Sequence, residues 1–323
     1  MTGRLGRLLW CGAMVCAMML ACTVSCRAAE PIQMLFHAGA GQRSSLMDIS
    51  KLFEKKFPNV EINFSFKGSG YFLADIERSH EGDLYMPGEE FYLLQAVERG
   101  FADAYDPVKD VPAYFMTVII VPKGNPAKIQ KIEDFARPGL KVSLGNPKAC
   151  AIGIWHEKIF IKAGIWDQVK KNEAHSAKCI PEVATAVQQK VADASIVWAT
   201  TAVLYLKDVD IIPIEPQYRG FVNLPLATLT TSKHTEMARK IKEFILSSEA
   251  KHIFRSHAYA IDPGPLDKDG FCTDGGKASD EDCKWLIEAV KVARDDSIPI
   301  NAKTCGPLIP EVKRQRKTNR AGD

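Results

Sequence analysis

The stretch Ile32-Gln33-Met34-Leu35-Phe36-His37-Ala38-Gly39-Ala40-Gly41 decides the fold, because it joins an apolar run to a glycine-rich turn. Residues 32–36 predict a buried strand, and the helical spacing of the apolar residues after the turn predicts a helix over residues 44–57. Alternating apolar and polar residues predict a second strand over 60–66, and Gly68-Ser69-Gly70 opens a further helix. This order of elements is typical of an α/β domain with a parallel or mixed sheet.

The same order of elements continues along the chain. Residues 115–121 form a continuous apolar run closed by Pro122, which predicts a buried central strand. Further strands are predicted at residues 141–144, 194–198 and 210–214. Further helices are predicted at residues 89–99, 132–135, 153–163, 183–190, 235–246 and 249–257.

The charge balance argues against a nucleic-acid partner. Of 323 residues, 25% are charged, yet the formal net charge is only +3. Much of that small excess lies at the two ends of the chain, so the part between them is close to neutral.

The N-terminus has the pattern of a secretory signal. Arg4 and Arg7 precede an apolar run over residues 8–20, which is shorter than the roughly 20 residues that a membrane span needs. Residues 1–29 are therefore predicted to be a signal peptide and the protein to be exported to the cell envelope. Met19-Leu20-Ala21-Cys22 resembles a bacterial lipobox, which predicts lipid anchoring at Cys22. Ordinary cleavage near residues 28–29 would instead give a free periplasmic protein.

The last part of the chain, residues 263–323, is predicted to be a cysteine-containing extension. It carries a predicted helix over residues 285–293 and ends in a basic tail. An exported protein reaches an oxidising compartment, where cysteines are expected to pair. Cys272 with Cys283 is the simplest disulfide, although the sequence does not fix the connectivity.

A series of short phrases occurs in order between residue 32 and about residue 260. They include Phe36-His37-Ala38-Gly39, Lys67-Gly68-Ser69-Gly70, Gly82-Asp83-Leu84-Tyr85, Val121-Pro122-Lys123-Gly124-Asn125-Pro126, Leu144-Gly145-Asn146-Pro147 and Ala192-Asp193-Ala194-Ser195-Ile196-Val197-Trp198. Together and in this order, the phrases resemble the molybdate-binding-protein family of type II periplasmic binding proteins. The C-terminal extension lies outside this resemblance.

The resemblance implies an α/β protein of two lobes, each a mixed sheet flanked by helices, with the ligand in the cleft between them. The first lobe would comprise residues 31–110 and 220–262, and the second residues 112–215. The protein would be a monomer without a cofactor. It would capture a small anion, above all a tetrahedral oxyanion such as molybdate or tungstate, and deliver it to the permease and ATPase subunits of an ABC transporter.

Two serines are candidate ligand contacts in the first lobe. Ser44 and Ser69 follow glycine-rich turns at predicted helix starts, where backbone N–H groups and hydroxyls can hold an anion. The alternative is that both serines are ordinary N-caps.

The second lobe's candidates follow from the resemblance. It points to Ala151, Ile152, Ile180 and Trp198. Trp198 stands where molybdate-binding proteins typically have a tyrosine, and its indole can donate to an anion but cannot accept. The alternative for Trp198 is a core tryptophan at a strand end.

Two charged residues depart from the family's pattern. Arg43 extends the first turn and could bind an oxyanion, a carboxylate or a phosphate with both guanidinium nitrogens. Glu182 lies in a segment that should face the ligand, where a carboxylate opposes a dianion unless it is protonated or paired. Pairing with Arg43, coordination of a cation, and a solvent-facing position near a helix start all remain open for Glu182.

Cys150 and Cys179 both map to the cleft side of the second lobe. A disulfide between them is the favoured interpretation for an exported protein. A thiolate metal site completed by His156 or His175 is the alternative, although these cysteines lack the close spacing of a metal motif.

Other classes of function find less support in the sequence. We find no Gly-x-Ser-x-Gly, P-loop or His-Glu-x-x-His motif, so an enzyme is not predicted. A binding protein of the same fold for an organic acid, a phosphorylated metabolite or a metal cation is the main alternative. A ligand-sensing or structural envelope protein is the third.

Overall fold

The computed structural model describes residues 30–67, 69–147 and 150–273, together with 280, 283, 284 and 286. The predicted signal peptide and most of the predicted C-terminal extension lie outside these residues. Among the described residues, no helix has both the length and the apolar character that a membrane span needs.

The first sheet is built around β1, Ile32–Gly39. This strand pairs in parallel with β2, Val60–Lys67, and with β3, Leu84–Met86, while β10, Ala227–Thr228, joins β3 antiparallel. The parallel neighbours leave β1 in the interior of the sheet, and Phe36 is fully buried there.

Helices cover this sheet with apolar faces. The helix α1, Arg43–Lys56, buries Leu46, Ile49 and Phe53, which recur at the spacing of one helix face. The other helices associated with this sheet are α2, Ser69–Ser79; α3, Glu90–Glu98; α8, Thr235–Leu246; and α9, Ser248–Ser256.

The second half of the molecule is organised around β4, Ala113–Pro122. Its strands are β5, Val142–Gly145; β6, Glu173–Ala177; β7, Ser195–Trp198; β8, Val209–Pro213; and β9, Phe221–Leu224. Its helices are α4, Ala151–Lys162; α5, Trp166–Lys171; α6, Ile180–Gln188; and α7, Ala199–Ala202. β5 and β6 pair in parallel, and β4 pairs antiparallel with β7, β8 and β9.

The strand β4 connects the two halves. Its first residues, from Ala113 to Met116, pair with β9, and its later residues pair with β7 and β8. β9 in turn leads within a few residues to β10 in the first sheet. The chain therefore crosses between the two sheets along β4 and again along β9, which makes these strands the natural hinge.

A close contact fixes the start of α4 against the end of β5. Gly153 lies so near Gly145 that an added Cβ would stand 2.3 Å from the Gly145 carbonyl oxygen. His156, one turn later, accepts a hydrogen bond from the Gly145 N–H at 3.0 Å and bonds to the Ile196 carbonyl at 2.7 Å. These contacts hold α4 to β5 and β7 and so set where its N-terminus points.

The first residues of the C-terminal extension pack on the hinge and on α4. The Phe221 N–H donates to the Gly270 carbonyl at 2.9 Å. Lys162 lies 3.4 Å from Asp267 and 4.0 Å from the centre of the Phe271 ring. The extension is therefore joined to the folded body by both backbone and side-chain contacts.

The predicted disulfide between Cys272 and Cys283 does not occur in the structure, which records both residues as buried thiols. Their sulfurs make other contacts: Cys272 Sγ lies 3.5 Å from the Pro263 carbonyl oxygen, and Cys283 Sγ lies 3.8 Å from Met116 Sδ.

Candidate functional site

The ends of the strands surround a cleft of about 680 Å³ between the two halves of the molecule. Most of its lining residues come directly after the carboxyl end of a strand, which is where open α/β sheets bind ligands. They include Gly39–Ser44 after β1, Gly88 and Glu89 after β3, Cys150 and Ala151 after β5, Lys178–Pro181 after β6, and Thr200 and Thr201 after β7.

Three stacked aromatic rings, which we call the aromatic floor, line the cleft: Trp198, Phe115 and Tyr259. The Phe115 ring centre lies 5.5 Å from Trp198 and 5.4 Å from Tyr259, and both pairs are stacked. The Tyr259 hydroxyl donates to the Gly41 carbonyl at 2.9 Å, and burial raises the pKa of Tyr259, so it stays neutral. The rings are nearly fully buried, and the parts of them that reach the cleft give it an apolar wall.

Helices from both halves of the molecule begin at the cleft. Arg43, Ala151 and Ile180 are the first residues of α1, α4 and α6, and all three line it. The first N–H groups of a helix have no partner within the helix and carry partial positive charge. The Arg43 N–H already donates to the Ala40 carbonyl, so the other N–H groups at these helix starts are the ones that can hold an anion.

The charged side chains at the cleft are mainly basic. Arg43, Lys67 and Lys178 line it, and among the described residues Glu89 is the one lining carboxylate. Arg43 lies 4.3 Å above the Phe66 ring, and Lys67 forms an ion pair of 2.6 Å with Asp75. Arg43 and Lys178 approach the cleft from different sheets, so an anion between the two halves could contact both.

The structure brings five of the eight sequence-predicted ligand contacts to the cleft. The five lining residues are Arg43, Ser44, Ala151, Ile180 and Trp198. Ser69 begins α2, and its side chain lies outside what the structure describes. Ile152 is fully buried in the core beside Gly145, because the close approach of α4 to β5 turns this side chain inward.

Glu182 does not line the cleft. Its carboxylate accepts a hydrogen bond of 2.8 Å from the Lys178 N–H, and this bond lowers the pKa of Glu182. It thus closes the turn that precedes α6, and the side chain is exposed to solvent. The structure also corrects the suggested pairing with Arg43, whose guanidinium lies against Phe66 instead.

Cys150 and Cys179 both line the cleft, directly before α4 and α6, and both are thiols without a disulfide in the structure. Burial raises the pKa of Cys150, and the nearby Cys179 adds to this, so Cys150 stays protonated; the N–H groups of Ile152 and Gly153 act in the opposite direction.

The alternative of a metal site with these cysteines finds no support. Both ring nitrogens of His156 are hydrogen-bonded inside the core, and His175 Nδ1 bonds to the Ser143 hydroxyl at 3.0 Å. Among the residues that the structure describes, no group of three metal-ligating side chains occurs.

Sequence reasoning missed several cleft residues: Gln42, Phe115, Glu89, Lys178 and Tyr259. Gln42 is fully buried, and its Nε2 donates to the Pro87 carbonyl at 3.1 Å. Three of these residues could have been identified by their position in the sequence, because Gln42, Glu89 and Lys178 each stand within three residues of a strand end. Phe115 and Tyr259 gave no such local signal.

Two α/β halves joined by crossing strands, with a strand-end cleft between them, define the class of two-lobed periplasmic binding proteins. Residues 35–260 match the family of bacterial extracellular solute-binding proteins, and the chain belongs to that family.

Two curated relatives agree with this assignment. YvgL of Bacillus subtilis, named provisionally as an ABC transporter substrate-binding lipoprotein, is 24% identical over 234 residues, covering 72% of this chain and 88% of the relative. The molybdate-binding protein ModA of Mycobacterium tuberculosis is 23% identical over 269 residues, covering 78% and 98%. The predicted resemblance to molybdate-binding proteins is confirmed.

Solved structures share the fold. A substrate-binding domain from Clostridium difficile, assigned provisionally to a molybdenum ABC transporter, has a TM-score of 0.64 at 19% identity, covering 72% of this chain and 99% of that one. PEB3 of Campylobacter jejuni with bound L-phospholactate has a TM-score of 0.57 at 18% identity, covering 70% and 99%. The predicted two-lobed α/β architecture is confirmed.

The family assignment sets the general activity. The protein is an extracytoplasmic substrate-binding protein of an ABC transporter, which binds a small molecule and delivers it to a membrane permease. The family is one of solute-binding proteins and not of enzymes.

Proposed function

We propose that this protein captures a small anion in the cleft by closing its two lobes around it. The observation that carries the proposal is the meeting of Arg43, Lys178 and the starts of α1, α4 and α6 at one cleft. An anion between the lobes gains from both side-chain cations and from the helix N–H groups. Closure along the hinge strands β4 and β9 then removes water and strengthens these contacts.

A tetrahedral oxyanion such as molybdate or tungstate is the candidate ligand that the curated relatives suggest. Support comes from the molybdate-binding name of the M. tuberculosis relative, which aligns over nearly its whole length. Ser44 and the helix starts would complete a cage of neutral donors around such an ion. No further cofactor is part of this proposal.

An organic or phosphorylated acid is the second candidate. The aromatic floor and the size of the cleft favour it, because an apolar lining contributes little to a bare inorganic ion. PEB3, which shares the fold, was solved with L-phospholactate.

A binding screen of the mature protein tests the proposal. Thermal unfolding would be followed with molybdate, tungstate, sulfate, phosphate, small organic acids and divalent metal ions, and each hit titrated by calorimetry. A ligand at about 100 times its dissociation constant adds about 2.7 kcal/mol of stability. Stabilisation by an anion supports the proposal, whereas stabilisation by metal cations alone, or by nothing, would overturn it.

The proposal extends to the protein's place in the cell envelope. We expect it to act as a monomer, anchored through a lipid on Cys22, and support for the anchor comes from the lipoprotein name of YvgL. Radiolabelled palmitate should enter the wild-type protein but not the Cys22→Ala variant. A soluble, unlabelled periplasmic form of the wild type would instead show ordinary cleavage.

A further inference from the structure

One carboxylate at the cleft has neither a hydrogen bond nor an ion pair within the part of the chain that the structure describes. It belongs to Glu89, which follows β3 and is half-buried. Burial raises the pKa of Glu89, because the charged form loses contact with water. A half-buried carboxylate without a donor loses part of its hydration, and this cost is relieved if the ligand supplies a donor.

The cation that acts on Glu89 does not line the cleft and is already held elsewhere. Lys158 on α4 favours the ionised form of Glu89 through its charge. Its Nζ, however, lies 3.7 Å from an Asp269 carboxylate oxygen and 5.2 Å from the centre of the Trp155 ring. Lys158 therefore offers Glu89 a long-range attraction and not a hydrogen bond.

Glu89 lies next to the turn that carries Arg43. β1 and β3 are paired neighbours, with Ala38 opposite Met86, so the turns that follow them are adjacent. A Cβ added to Gly39 would stand 3.3 Å from the Gly88 backbone nitrogen. Arg43 and Glu89 therefore stand on adjacent turns that line one cleft, with the Arg43 guanidinium on the Phe66 side of β1 and Glu89 on the β3 side, and a ligand in the cleft can span both.

This arrangement discriminates between kinds of anion. Molybdate, tungstate and sulfate have only acceptor atoms at neutral pH, so Glu89 repels them and gains no bond. Hydrogen phosphate keeps an O–H donor but has no carbon skeleton to lie on the aromatic floor. An organic anion with a hydroxyl or ammonium group beside its charged end can place the charge near Arg43 and Lys178 and donate to Glu89. Its carbon skeleton can lie on the aromatic floor.

We infer that the ligand is an organic anion bearing a hydrogen-bond donor next to its anionic group, and that Glu89 is the residue that selects for this donor. The inference rests on the proposed function, because it requires that an anion binds in this cleft.

Three ligand series test the inference by calorimetry on the full mature protein. Each series differs only at one carbon, which carries hydrogen, hydroxyl or ammonium: propionate, lactate and alanine; succinate, malate and aspartate; 3-(phosphonooxy)propionate, 3-phosphoglycerate and phosphoserine. Molybdate and sulfate complete the panel. In at least one series the hydroxyl or the ammonium member should bind about tenfold to a hundredfold more tightly than the hydrogen member, as expected for a hydrogen bond to a charged group. The tighter binder of these two members shows whether the ligand's donor is a hydroxyl or an ammonium group.

The variant Glu89→Ala should abolish that preference while leaving the hydrogen member's affinity unchanged or improved. Glu98→Ala is the matched control and should keep the preference. Glu98 is exposed at the far end of α3, the helix that begins directly after Glu89. Circular dichroism and the thermal midpoint of each variant establish that it is folded.

The outcomes separate the two proposals. Tight binding of molybdate with no binding of any organic anion, or equal affinities within every series, overturns the selection by Glu89 but leaves anion capture standing. Binding of no anion in the panel overturns both.

Discussion

At the scale of single residues, Arg43 is the side chain on which the proposed anion capture most depends. It is the first residue of α1, lies above the Phe66 ring at 4.3 Å, and lines the cleft. The stacking contact holds the guanidinium plane in place, so little side-chain entropy is lost when it forms a two-pronged bond to a ligand.

Replacing Arg43 with alanine should weaken anion binding by about 1 to 3 kcal/mol, the range for a hydrogen bond to a charged group. Arg43→Lys keeps the charge but loses the planar guanidinium group. Its affinity for the anion should therefore lie between those of the wild type and Arg43→Ala. Calorimetric titration with the tightest anion of the screen measures this effect. Arg239→Ala, which removes a guanidinium that contacts Glu236 on the exposed side of α8, is the control. Unchanged affinity in Arg43→Ala would remove this residue from the site.

His156 acts through stability and not through the ligand. It is fully buried, its two ring nitrogens bond to the Gly145 N–H and the Ile196 carbonyl, and burial lowers its pKa from 6.5 to about 4. The unfolded chain therefore takes up a proton at His156 at a higher pH than the folded protein does. The contribution of neutral His156 to the free energy of unfolding is present above pH 6.5 and is lost as the pH falls toward 4.

The free energy of unfolding should fall by up to about 3 kcal/mol between pH 6.5 and pH 4 through His156 alone, at roughly 1.4 kcal/mol per pKa unit. Urea unfolding at a series of pH values measures this. His156→Gln should be less stable at neutral pH but have a shallower pH dependence. His37 and His257, whose pKa values burial also lowers, are present in both proteins, so the difference isolates His156. Parallel pH curves for the two proteins would contradict this account.

At the scale of elements, the contact between β5 and α4 places one wall of the cleft. The added Cβ at Gly153 would lie 2.3 Å from the Gly145 carbonyl oxygen, closer than atoms can approach, so an alanine forces the helix away from the strand. Because α4 begins at the cleft, such a shift moves Cys150 and Ala151 as well.

Gly153→Ala should lower the free energy of unfolding by about 1 to 3 kcal/mol, as expected for overpacking, and should weaken ligand binding too. Gly41→Ala is the matched control for stability, because its added Cβ would meet Phe115 at an ordinary contact distance of 3.5 Å. Urea unfolding and calorimetry of both variants test this. If Gly153→Ala keeps wild-type stability and affinity, then the strand and helix are not held as closely as described.

At the scale of the whole molecule, the lobes move about crossings that the C-terminal extension also touches. The chain crosses between the two sheets along β4 and β9. The extension contacts Phe221 at the start of β9 and Lys162 on α4. A ligand that contacts residues of both sheets binds the closed form more tightly than the open form. This difference in binding free energy shifts the protein toward the closed form.

Saturation with the tightest anion of the screen should therefore reduce the radius of gyration measured by small-angle X-ray scattering. The reason is that residues from both halves, such as Arg43 and Lys178, contact one ligand only when the lobes approach. Arg43→Ala at the same anion concentration should compact less. A ligand that binds tightly without any compaction would show that closure is not part of capture.

The sequence by itself determined the fold class, the family and most of the helices and strands. Residues such as Leu46, Ile49 and Phe53 reveal a helix because its period is local, and the phrases of the resemblance are local as well. The short strands β3, β6, β9 and β10 escaped prediction, because pairing with neighbours distant in the sequence stabilises them more than their own few residues do.

The tertiary structure alone decided which residues meet at the cleft. It added Glu89, Lys178 and Tyr259, turned Ile152 into the core, and bonded Glu182 back to its own helix start. The physical reason is that a ligand site is formed where the ends of several strands converge, and that convergence is fixed by sheet pairing and helix packing over long separations in the chain. A sequence pattern reports which face a residue prefers, but not which distant residues share that face with it.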